Sequence, residues 1–151
     1  MYHANAIEVQ VPIDEFIDLF LDQTKFKHWR PGFQSVELLS GEKGQYGVKS
    51  KFVYQLGKRP FEVIETVTER NFPYIFSAHY QAPNMVSDID YQFEDFGGKR
   101  TMWGITHIYR LSGSKERWSW LRPKFYEKQD LQLMLNLKDY AENGVSILDK
   151  F

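Results

Sequence analysis

An aspartate set within the apolar stripe of a predicted helix is the first residue of this chain whose position suggests chemistry. At 3.6 residues per turn, Asp130 shares one face with Tyr126, Leu133, Met134, Leu137, Tyr140 and Ala141. A carboxylate turned toward an apolar space has a raised pKa and can deliver a proton, whereas the same group beside Lys128 and Arg122 also reads as a solvated ion-pair partner. His107 falls in the predicted inward row of a strand, between Ile105 and Tyr109. A neutral imidazole there can act as acid or base, or can be a core residue hydrogen-bonded to a tyrosine. Glu65 is the third candidate: if it faces inward it needs a partner, and His107 or a tyrosine hydroxyl can supply one.

Tyr54, Tyr80, Tyr91 and Tyr109 combine an apolar ring with a hydroxyl, which suits a pocket for a flat or elongated molecule carrying one or two oxygens. With Phe76, Trp103, His107, Met134 and Leu137 they form the expected ligand lining, and the competing reading is a filled core. Trp118, Trp120 and Leu121, flanked by Lys115, Arg117, Arg122 and Lys124, suggest either a portal or a plug for that pocket. No metal site and no cofactor are expected. His3, His28, His79 and His107 are scattered without paired spacing, Asp88 and Asp90 read as solvated carboxylates, and GEKGQYG lacks the lysine and hydroxyl end of a phosphate loop.

The elements that must position these residues are legible from periodicity. Ile7, Val9 and Val11 alternate as a half-buried strand ended by Pro12, and Asp14 is placed to cap a short helix with Phe16, Ile17, Phe20 and Leu21 on one face. A second short helical turn over 25–29 stops at Arg30-Pro31-Gly32. A strand begins at Phe33, and between Tyr46 and Leu111 five further strands form an antiparallel meander, punctuated by Gly57-Lys58, Asn71-Phe72-Pro73, Ala82-Pro83-Asn84 and Gly97-Gly98. The apolar rows are Val48, Phe52, Tyr54 and Leu56; Phe61, Val63, Glu65 and Val67; Tyr74, Phe76, Ala78 and Tyr80; Met85, Ser87, Ile89, Tyr91 and Phe93; and Trp103 to Leu111 in alternation. A long amphipathic helix over 123–143 closes the chain, leaving Leu131 and Leu135 off its main stripe. This order predicts an α+β fold, a curved sheet around one helix with a pocket between them.

The 151 residues carry no repeat or low-complexity tract, so a single domain over 1–151 is expected. Nineteen basic and 20 acidic residues are interspersed, which provides no basic field for a phosphate backbone and argues against nucleic acid. The absence of cysteine excludes disulfides, thiolate metal ligands and a cysteine nucleophile. With neither a secretory leader pattern nor a long apolar run, a cytoplasmic protein without stable membrane insertion is expected, as monomer or homodimer.

Five segments together carry a resemblance: IEVQVPIDEFIDLFLD, HWRPGFQSVELLSGEKGQYG, FEVIETVTERNFP, TMWGITHIYRLSG and KFYEKQDLQLMLNLKDYAENG. They resemble the SRPBCC superfamily, and within it the bacterial polyketide cyclase/dehydrase-type members related to START and Bet v 1-like domains. The resemblance implies a helix-grip fold, a curved seven-stranded antiparallel sheet around a long C-terminal helix with two short N-terminal helices, enclosing a hydrophobic tunnel. It carries no catalytic motif that transfers residue by residue. Three functions stay open: binding of a small hydrophobic molecule such as a lipid, polyketide-like or isoprenoid compound; a cyclase or dehydrase using Asp130, His107 or Glu65; and a protein-interaction module.

Overall fold

The computed structural model describes residues 1–113 and 124–150. Its elements run β1 (Tyr2–Val9), α1 (Ile13–Leu21), a 3-10 segment (Gln23–His28), β2 (Phe33–Ser40), β3 (Lys49–Tyr54), β4 (Phe61–Asn71), β5 (Ile75–Ala82), β6 (Met85–Phe96), β7 (Arg100–Leu111), α2 (Phe125–Asn143) and a final 3-10 turn (Ile147–Lys150). The seven strands form one antiparallel sheet in the order β1-β7-β6-β5-β4-β3-β2. This is the α+β, helix-grip arrangement expected from the sequence. The consecutive strands pair as hairpins, while β1 crosses over to the free edge of β7 and so joins the two ends of the chain.

Register decides which side chains meet on the inner face. Tyr109 lies opposite Ser87, Ser87 opposite Tyr80, Tyr80 opposite Glu65 and Glu65 opposite Ser50, which forms one row across five strands. The adjacent row runs His3, His107, Ile89, Ala78 and Val67. Because side chains alternate along a strand, each row is separated from the next by two residues of the same strand. The inner residues of β7, from Thr101 through Trp103, Ile105, His107 and Tyr109 to Leu111, are all buried.

The apolar face of α1 lies on this sheet. Phe16 packs edge-on against Trp103 at 5.3 Å between ring centroids, and Phe20 meets Tyr91 at 5.1 Å and Phe93 at 5.3 Å. In α2, Met134 and Leu137 are fully buried, and Leu133 and Ala141 pack beside them. Full burial of each such side chain contributes roughly 1.5–3 kcal/mol. The stripe expected for the long helix is therefore the one that faces the sheet, and Leu135 off that stripe is 40 % exposed.

Several local expectations are corrected. Strand β1 starts at Tyr2 and ends at Val9, so Val11 lies beyond it, and Pro12 rather than Asp14 stands at the N-cap of α1. Proline at this point needs no N–H, and Asp14 enters the first helical turn, where a negative charge complements the helix dipole. Leu56 and Tyr74 are exposed because Leu56 follows the end of β3 and Tyr74 precedes the start of β5, where alternation no longer dictates burial. The tryptophans at 118 and 120, with Lys115, Arg117, Leu121 and Arg122, lie outside the described residues.

Candidate functional site

A cavity of about 370 Å³ lies between α1, the 3-10 segment and strands β2 to β5. Its wall is apolar where Phe20, Phe26, Val48, Phe52, Val67 and Phe76 contribute, and polar where Arg30, Glu65, Tyr80, Ser50 and Arg70 contribute. Leu38 and Lys43, both exposed, and the half-buried Gly44 line its outer end. The 3-10 segment is tied to the long helix by Asn136, whose side-chain amide donates to the Trp29 carbonyl at 3.3 Å. It is tied to β3 by Gly32, whose carbonyl accepts from the Gln55 amide at 2.8 Å. Arg30 is held between these two anchors.

The guanidinium of Arg30 lies over three rings, with its central carbon 4.0 Å from the Phe26 centroid, 4.6 Å from Trp29 and 5.2 Å from Phe52. Its Nη1 donates to the Tyr54 hydroxyl at 3.3 Å, and its Nε is buried and, among the described residues, without a partner. Burial works against this charge, but Tyr54, Tyr91, Tyr80 and Glu65 around it outweigh burial and hold its pKa above the usual guanidinium range. Among the described residues, neither Arg30 nor Lys43 nor Arg70 forms an ion pair with a carboxylate.

Opposite Arg30, Tyr80 donates to Glu65 Oε2 at 2.8 Å and its oxygen is 3.2 Å from that of Tyr91. Since Tyr80 has one proton and gives it to Glu65, the Tyr91 hydroxyl donates to Tyr80, and the three groups form a directed chain. Burial raises the Glu65 pKa above the ordinary carboxyl value and is only partly offset by Arg30 and the Tyr80 hydrogen bond. Burial likewise pushes both tyrosines upward, so neither hydroxyl ionises at neutral pH. Around Arg30 the site thus offers a fixed positive charge, a carboxyl displaced toward its neutral form and tyrosine hydroxyls inside an aromatic wall, with Arg70 and Lys43 as further cations along the same cavity.

The sequence candidates divide between this cavity and other places. Glu65, Tyr80 and Phe76 line it. Tyr91 reaches it through Tyr80, and Tyr54 through Arg30. Trp103, Met134 and Leu137 are fully buried packing between the sheet and the helices. Tyr109 packs its ring against His3, His107 and Tyr126. His107 and Asp130 meet each other: His107 Nδ1 is 2.7 Å from Asp130 Oδ2, and His3 Nε2 is 2.5 Å from the same oxygen. Glu65 does not join them, because β4 and β7 are three strand spacings apart, about 14 Å; its partner is the Tyr80 hydroxyl. Arg30 was missed, since RPG carries a clear signal as a helix stop and none as a buried cation. His3 was missed because its neighbour is 104 positions away and only the β1 to β7 register joins them.

No protein-family model matches the chain, and no curated protein matches it in sequence. Solved structures match along nearly its whole length. The crystal structure of the ZhuI aromatase/cyclase from Streptomyces sp. R1128 superposes with a TM-score of 0.75 at 13 % identity, covering 98 % of this chain and 97 % of that one. A START superfamily protein from Mycobacterium smegmatis gives 0.72 at 10 % identity, with 95 % and 99 % covered. Norcoclaurine synthase from Thalictrum flavum, in complex with a transition-state analogue, gives 0.68 at 11 % identity, with 93 % of each chain covered. At these identities the likeness concerns the backbone, and it agrees with the strand order and the long C-terminal helix described above: the chain has the SRPBCC-type, helix-grip fold.

Proposed function

We propose that this protein binds a small hydrophobic molecule bearing an acidic or phenolic oxygen, with its apolar body against Phe20, Phe26, Phe52 and Phe76 and its oxygen at Arg30. The observation that carries this reading is the half-buried Arg30 guanidinium, packed over rings with its Nε out of contact with water, lining the cavity and, among the described residues, without a carboxylate partner. A charge removed from water is costly unless it is paired. A ligand anion at the unpartnered Nε would supply the missing partner, while Tyr80 and Glu65 provide further hydrogen bonds. The volume falls within the usual range for small-molecule pockets. Lipid, polyketide-like and isoprenoid acids all fit this description, and the reading is of a single cytoplasmic domain that acts as monomer or homodimer and does not bind nucleic acid.

The test is a titration with 8-anilinonaphthalene-1-sulfonate, a flat aromatic anion whose emission reports an apolar site. Wild-type protein is expected to bind one equivalent, and Arg30→Met, which keeps the stem and removes the charge, to lose affinity by about ten- to a hundred-fold. Near-UV circular dichroism establishes that the variant is folded. Equal affinity in the folded variant would refute the role given to Arg30.

A second reading has its own support. Glu65, displaced toward its neutral form and joined to Tyr80 and Tyr91, is suited to donate a proton in a cyclisation or dehydration of a bound carbonyl compound. The fold shared with an aromatase/cyclase is consistent with it. Turnover abolished by Glu65→Gln with ligand affinity retained would distinguish catalysis from carriage.

A further inference from the structure

Away from the cavity, His3 of β1, His107 of β7 and Asp130 of α2 converge. The two histidines are directly opposed in the β1 to β7 ladder, with ring centroids 5.0 Å apart, and Asp130 reaches both from the second turn of the helix. One oxygen, Oδ2, is 2.5 Å from His3 Nε2 and 2.7 Å from His107 Nδ1, and one ligand atom from each of the three residues lies within 4.8 Å of the others. His3 is 7 % and His107 4 % exposed, whereas the Asp130 side chain retains 14 %. His107 Nε2 is buried and, among the described residues, has no hydrogen-bond partner. Two imidazoles and a carboxylate on three separate elements form a nitrogen and oxygen donor set suited to borderline divalent metals.

We propose that His3, His107 and Asp130 bind one divalent transition-metal ion of the zinc class. Tetrahedral donors about 2.0–2.1 Å from a metal are roughly 3.3 Å from one another, so the two contacts from Asp130 Oδ2 to the imidazole nitrogens would lengthen by less than about 1 Å, within the reach of side-chain torsions. Three protein ligands leave a further coordination position, and the partial exposure of Asp130 gives water access to it. The ion would fasten the edge strand β1 to β7 and to the start of α2. This proposal is independent of the function assigned to the cavity.

The test is a competition titration of dialysed protein with Zn²⁺ against a chromophoric chelator, paired with Co²⁺ absorption spectroscopy. Wild type is expected to take up one equivalent, to show the intense visible bands of low-coordinate Co²⁺, and to gain thermal stability with Zn²⁺. His107→Ala and the near-isosteric Asp130→Asn are each expected to weaken binding by at least about ten-fold, while His79→Ala, a histidine paired with Asp88 on the exterior, leaves it unchanged. Dependence on residues 107 and 130 separates this site from chelation by the terminal amine and His3 alone. A titration of folded wild type that never saturates would overturn the proposal, as would saturable binding that Asp130→Asn, folded by circular dichroism, leaves unaltered.

Discussion

Arg30 and Glu65 share one cavity but respond to burial in opposite ways. Arginine keeps its charge, stabilised by four surrounding oxygen-bearing side chains, and the glutamate moves toward neutrality. A carboxyl whose folded pKa is raised makes the native state bind more protons than the unfolded chain, so stability falls as pH rises from 4.5 through the folded value. Glu65→Gln removes this dependence. Denaturation midpoints measured from pH 4 to pH 8 should therefore diverge with rising pH, with wild type the less stable protein at neutral pH and the gap closing in acid. Parallel curves would show that Glu65 is not displaced. Glu65, Tyr80 and Phe76 were legible in the sequence because strand alternation alone places them inward. Arg30 was not, because the burial of a charge depends on rings that arrive from Phe26, Trp29 and Phe52 in different elements.

The elements that aim Arg30 are short and rely on backbone geometry. Gly32 has a φ of +75°, and a Cβ there would come within 2.6 Å of the Gln55 carbonyl oxygen and 2.7 Å of a Leu56 methyl. Gly144, which ends α2 with a φ of +67°, has open space at the corresponding position. Gly144→Ala should therefore lose only the left-handed backbone cost of about 1 kcal/mol. Gly32→Ala should lose more than that and displace the loop carrying Arg30, lowering 8-anilinonaphthalene-1-sulfonate affinity as well as the urea midpoint. If the two variants were equally stable, the contact to β3 would not constrain the loop. The strands, both short helices and the long helix were readable from period and turn chemistry. Their ends were less so: Val11 and Leu56 continue an apolar pattern past the last paired residue and Tyr74 begins one before the first, and pattern alone does not register where a ladder starts or stops.

Across the whole molecule, the space under the sheet is divided. Toward β7 and β1 it is filled by Trp103, Met134 and Leu137 packed with Phe16, and toward β3 and β4 it opens into the cavity. Leu137→Ala should cost about 2–5 kcal/mol by leaving a void, and Leu135→Ala, on the exposed side of the same helix, within about 0.5 kcal/mol of nothing; similar losses from both would contradict this division. The sequence indicated a pocket between sheet and helix, but where side chains fill that space and where they leave it open is decided by volumes summed over several elements. Ser50 supplies the complementary test, because it is small, lines the cavity and lies opposite Glu65. Native mass spectrometry of wild type and Ser50→Phe, each incubated with a lipid extract of the expression host and then extracted under denaturing conditions, addresses the central claim. A stoichiometric hydrophobic adduct with an acidic or phenolic oxygen on wild type, absent from the folded variant, is the predicted result. Bare protein masses for both, or the same adduct on both, would contradict it.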